Sequence, residues 1–118
     1  MYDKMYQSTT PTLIFNIINE ELDLNEISIC HLTIESENGR ERKIFENTQI
    51  DVENKKITVN LTQEDTMLFH VGNIKLQLKA KLGNGQVIVS KIIKTTMNEV
   101  LEEEYLWLMY YLKLLLWK

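Results

Sequence analysis

Cys30 and His31 stand side by side, a thiol and an imidazole of the kind that serve as nucleophile and base. Such a pair works only if the two side chains reach each other through a hydrogen bond. Residues 27–36 read as a strand, and a strand turns neighbouring side chains to opposite faces. The pair therefore cannot act together, and Cys30 reads as a small apolar residue of the strand. With one cysteine in the chain, an intramolecular disulfide is impossible and a Cys-rich metal site is excluded. The second histidine, His70, has no companion at zinc-binding spacing. No Gly-x-Gly-x-x-Gly run and no Walker pattern occurs to cradle a phosphate. Glu20-Glu21, Glu35 with Glu37, and Glu102-Glu103-Glu104 read as solvated edges or helix starts. The sequence thus points to no catalytic residue, no metal ligand, no cofactor and no enzyme.

Charge narrows the partners. Seventeen acidic residues against thirteen basic ones give a net charge of −4. Duplex binding draws its affinity from neutralised phosphates, so nucleic acid is a poor fit. The opening Met1-Tyr2-Asp3-Lys4-Met5-Tyr6-Gln7 lacks the basic flank and apolar run of a signal peptide. The expected location is a cytoplasm, or a particle assembled there.

The elements that must carry any function are mostly strands. In residues 74–82 every second side chain is apolar, with Lys or Gln between. Period two means one buried face and one solvated face. Wound as a helix, the same lysines would be scattered around the circumference. Gly83-Asn84-Gly85 supplies a hairpin turn tolerant of positive φ. Residues 86–96 return as a β-branched strand, with a bulge expected near Ser90-Lys91, where the phase of Val87 and Val89 is lost. Residues 12–18, behind Pro11, and 27–36 form earlier strands, the latter with an irregularity expected at Cys30-His31. Asn38-Gly39 turns the chain into residues 40–46. Ile50 and Val52, then Ile57, Val59 and Leu61, bracket a polar turn at residues 53–56. Thr62 reads as the N-cap of a single helical turn with acidic residues behind it, after which Met67, Leu68 and Phe69 can face inward. About seven short strands at this spacing predict an all-β, antiparallel sandwich over residues 1–97.

From Asn98 the pattern changes. Asn98 followed by Glu99, and then Glu102-Glu103-Glu104, reads as a capped helix start. Leu101, Tyr105, Leu108, Leu112 and Leu115 then recur at steps of four and three, a coiled-coil seam. Trp107 and Trp117 are further large apolar side chains of this C-terminal α-helix, residues 98–118. A helix apolar all round must be covered. Its apolar run is about fourteen residues with Lys113 inside, short of the roughly twenty a bilayer span needs. Burial against partner subunits is preferred over packing back on its own sandwich and over lying at a membrane surface. Leu101, Tyr105, Leu108, Leu112 and Leu115, with Trp107 and Trp117 as anchors, are the expected protein interface.

Three stretches carry a resemblance. They are Met5-Tyr6-Gln7-Ser8-Thr9-Thr10-Pro11-Thr12-Leu13-Ile14-Phe15; Val59-Asn60-Leu61-Thr62-Gln63-Glu64-Asp65-Thr66-Met67-Leu68-Phe69; and the strand 75–81 followed by Gly83, Gly85 and Ser90-Lys91-Ile92-Ile93, closing on Val100-Leu101. In this order they resemble the small phage and prophage proteins of Firmicutes that are similar in layout to the immunoglobulin-like modules of tail and baseplate assemblies. The resemblance covers about residues 5–103. It implies an immunoglobulin-like sandwich, a structural role in the virion, and partners that are other tail or baseplate subunits or further copies of the chain. The family pattern stops soon after the Val-Leu-Glu stretch, whereas this chain runs on through the apolar segment. Two other readings stand beside it. One is a carbohydrate-binding or adhesin-like module that recognises a host glycan through Tyr2 or Tyr6. The other is membrane association through the C-terminal helix.

Overall fold

The alternation in residues 74–82 is realised in full. In the computed structural model, which describes residues 4–101, Ile74, Leu76, Leu78, Ala80 and Leu82 are all buried. They belong to the longest strand, β7 (Gly72–Leu82). Before it come β1 (Met5–Tyr6), β2 (Thr12–Asn16), β3 (Ile27–Ser36), β4 (Arg42–Phe45), β5 (Thr48–Asp51), β6 (Lys56–Asn60) and the one-turn helix α1 (Gln63–Met67). After it come β8 (Val87–Val89) and β9 (Ile93–Asn98). A 3-10 turn, Leu24–Glu26, leads into β3, with the Asp23 carboxylate accepting from Asn25 N–H.

The described residues are predominantly β, in two sheets. The larger runs β1-β9-β7-β3-β4, with β8 also on β7; the smaller runs β2-β6-β5. Leu32, Ile34, Phe45, Ile74 and Met97 of the first sheet share one core with Ile57 and Val59 of the second. Neither layer could hide its apolar face without the other.

The strands number nine among the described residues, where about seven were expected. One addition is β1, which pairs in parallel with β9, Met5 opposite Met97. No local signal in two residues can foretell a partner so far along the chain. The other comes from the bulge expected near Ser90-Lys91, which divides the last strand in two. From Val89 to Ile93 the chain advances four residues while β7 advances three, from Lys79 to Leu76. Ser90 fills the break: its N–H donates to Leu78 O (2.9 Å) and its Oγ accepts from Leu78 N–H (3.0 Å). Gln77 Nε2 donates to Ser90 O (2.8 Å). Val87 and Val89 therefore lie on the outer face, whereas Ile93, opposite Leu76, lies on the core side of the sheet, at its open margin, and stays 37% exposed.

The irregularity expected at Cys30-His31 lies elsewhere. Ile27 pairs with Leu82 and Ile29 with Lys81, so Ser28 is the extra residue. Its hydroxyl donates to Lys81 O (2.9 Å). From there Cys30, Leu32, Ile34 and Ser36 all face the core in one unbroken phase. Both hairpin turns form where the glycines require them, with φ of +74° at Gly39 and +91° at Gly85, a region open to glycine at no steric cost.

The helical turn is capped as its sequence dictates. Thr62 Oγ1 accepts from Asp65 N–H (3.1 Å), and the Asp65 carboxylate accepts from Thr62 N–H (2.8 Å), a reciprocal capping box. Of the three residues expected to turn inward, Phe69 is buried and Leu68 is exposed. Asp65 also accepts from Lys43 Nζ at 2.7 Å. Burial pushes this carboxyl up, but the bonds from Lys43 and Thr62 outweigh it and hold it below the usual carboxylate range. A group depressed in the folded state stabilises above its unfolded value, about 3.9. That contribution is lost as pH falls through the lower, folded value. Asp65→Ala should therefore cost about 1 kcal/mol near neutral pH, and the difference between urea titrations of the two proteins should begin to shrink only as pH falls below about 4. A constant difference at every pH would refute this assignment.

Candidate interaction surface

Cys30 and His31 lie on β3, and His70 lies just before β7. Cys30 lies in the core, and burial pushes its thiol up, opposed by a hydrogen bond from Thr48. A buried thiol with little thiolate is a poor nucleophile. His31 points to the other face, opposite Lys79. His70 is exposed, its Nδ1 3.0 Å from Glu41 Oε2. Burial raises the Glu41 carboxyl, while hydrogen bonds from His70 and Ser36 bring it below its ordinary value. Ser36 Oγ accepts from the Glu41 main-chain N–H (3.1 Å). In a catalytic triad the imidazole stands between hydroxyl and carboxylate. Here no hydrogen bond joins the Ser36 hydroxyl to the imidazole, and the bonds of Ser36 to Asn38 and to the Glu41 main chain brace the Asn38-Gly39 hairpin. Among the described residues no three His, Cys, Asp or Glu side chains gather to hold a metal ion.

The lysine-bearing face of β7 is partly spoken for. Lys75 Nζ lies 3.6 Å from Glu35, which also takes a 2.7 Å bond from Arg42. Gln77 is used at the bulge, while Lys79 and Lys81 remain exposed. Exposed Ile29, Ile44, Val87 and Val89 are interspersed on the same outer face. Tyr6, on β1, is the exposed aromatic residue among the described residues; Tyr2 lies outside them.

The expected interface begins where the described residues end. Asn98 does not open a helix. It is the last residue of β9, and its Nδ2 donates to Met5 O (2.9 Å) and Thr96 Oγ1 (3.0 Å). Residues 99–101 follow without helical structure, and Leu101 is 96% exposed. Tyr105, Trp107, Leu108, Leu112, Leu115 and Trp117 lie outside the described residues. No helix among the described residues is long and apolar enough to cross a membrane.

A surface that sequence reasoning missed lies beside β2. Among the described residues this strand pairs with β6 alone, on one side. Leu61 N–H donates to Pro11 O, and Ile17 N–H donates to Lys55 O. Bonded and non-bonded residues alternate across an antiparallel pair. Thr12, Ile14 and Asn16 therefore turn their backbone groups away from β6, toward the open edge. Next to this edge is a groove of about 660 Å³. Leu13 and Phe15 form its wall, and Leu76, Leu78 and Ile93 its floor.

This edge lacks the usual protection. Natural sheets guard an edge with charge, shortness or an inward lysine. The β4 edge has Arg42 and the inward-facing Lys43, whose Nζ also sits 5.0 Å from the Phe45 ring. The β5 edge carries Asp51, and β1 is two residues long. Between Lys4 and Glu20 the sequence holds no charged residue at all. The signal was present in residues 12–18, but which side of a strand stays unpaired is decided by topology. Compared with known proteins, the chain matches no family model and no curated protein sequence.

Proposed function

We propose that this chain is a structural module of a phage tail or baseplate, immunoglobulin-like in form, that works by assembling with other protein subunits. The observation that carries the reading is the uncharged β2 edge and the apolar groove beside it, an apolar surface on an otherwise well-guarded sandwich. Contiguous open apolar surface of this kind marks sites of association. Strand order supports the immunoglobulin-like form. The smaller sheet, β2-β6-β5, follows the order of strands B, E and D of that fold; β9-β7-β3-β4 follows G, F, C and C′. The C-terminal apolar segment, as a helix beyond Leu101, is the element that docks, with Leu101, Tyr105, Leu108, Leu112, Leu115, Trp107 and Trp117 as its contact residues.

Among the described residues, the core shared by the two sheets runs from Met5 to Met97, upstream of this segment. A chain ending at Glu104 should therefore keep the cooperative unfolding of the intact protein and run as a monomer by light scattering, while the intact chain is an oligomer. Equal solution masses for the two proteins would sink the assembly role.

A further inference from the structure

The two sheets are unequal in width, five strands against three, with β8 in addition on β7. β5 lies over β3, so the excess falls at the other side. There β9 and β1 lie beyond β2, and the groove runs between Ile93 of β9 and Leu13 and Phe15 of β2. Two strands span about 10 Å, and a helix with its side chains is about 10–12 Å across. A second sandwich pairing β2 to β2 would drive the two overhanging sheets into each other. The opening therefore fits one slender segment and not a folded domain.

Its chemistry narrows the occupant further. The wall and floor are mostly apolar, with Lys4, Ser90 and Thr95 also in the lining, and the rim carries the unpaired N–H and C=O groups of Thr12, Ile14 and Asn16. Covering these without a partner costs about 1–3 kcal/mol for each group. The occupant must bring large apolar side chains and neutral hydroxyl or N–H tips together. Residues 102–118 do so: five leucines fall between Leu108 and Leu116, with Tyr105, Tyr110, Tyr111, Trp107 and Trp117 among them. Tyrosine and tryptophan each pair an apolar body with a polar tip.

We infer that the groove between β2 and β9 is the seat for residues 102–118 of a second copy of this chain. The direction of the chain favours a second copy. β9 runs from Ile93, in the groove, away to Asn98 beside Tyr6, and Leu101 beyond it stands in solvent. This inference rests on the proposed assembly role and names the partner surface for it.

The test uses the full chain with a photo-reactive benzoyl-phenylalanine in place of Ile14, which is 55% exposed and so tolerates replacement. Light scattering first establishes whether the labelled protein is an oligomer. Irradiation should then give a covalent dimer whose linked peptide maps to residues 102–118 of the other chain. The same label at Val89, on the outer face of the larger sheet, should give none. The added substitution Ile93→Glu should abolish the cross-link at position 14. An oligomer whose links stay within one chain, map elsewhere or do not form overturns the seat and leaves the assembly role standing. A monomer overturns both.

Discussion

Replacing Phe69 by alanine should remove about 3–5 kcal/mol of folding stability, the cost of an emptied aromatic site in a close-packed core. Phe69 is 1% exposed and belongs to the core shared by both sheets. It follows α1 directly, so the same residue fills the core and fixes where the helical turn sits. Its carbonyl accepts from Gln7 Nε2 at 3.0 Å, which ties the N-terminal crossing to the same point. A small domain has a total stability of about 5–15 kcal/mol, so the loss is a large share of the whole. Urea unfolding should show a midpoint shifted far down with little change in slope. A loss under about 1 kcal/mol would mean that the site collapses almost without cost on losing the ring.

Thr66→Val should cost about 1–3 kcal/mol although it preserves volume almost perfectly. Thr66 is fully buried. Its hydroxyl accepts from Thr9 N–H (3.1 Å), and Thr9 O (3.0 Å) and Gln63 O (3.1 Å) are both within reach of its proton. Valine fills the same space but leaves the Thr9 N–H without its acceptor. The damage should be local. The segment that carries the chain from β1 in one sheet to β2 in the other is held to α1 by this hydroxyl. Hydrogen exchange at Thr9 should accelerate strongly, while amides of β3 and β7 keep their protection. Unchanged exchange at Thr9 would show that the crossing is held by other contacts.

The two substitutions bear on the docking surface as well. The N-terminal crossing delivers β2 to the edge of the smaller sheet, and Lys4 and Met5 line one end of the groove. A chain loosened at Thr9 presents the β2 edge less rigidly. Its assembly should weaken even though no groove residue has been altered.

The sequence by itself determined what depends on neighbours along the chain. Period-two burial in residues 74–82, the glycine turns at Gly39 and Gly85 and the Thr62–Asp65 cap are all set within a few residues, by backbone sterics and local hydrogen bonds. The break after Val89 was legible too, because a change of phase cannot be hidden in a strand. Only the tertiary structure decided matters that depend on distant partners. It placed the extra residue at Ser28 instead of Cys30-His31, since the register of β3 is chosen by β7. It put Asn98 into β9 because Met5, far away in sequence, offers its carbonyl. It left β2 unpaired on one side, which no property of residues 12–16 specifies. Pairing and exposure are properties of the assembled sheets, where burial of the common core selects one arrangement from many that are locally permitted.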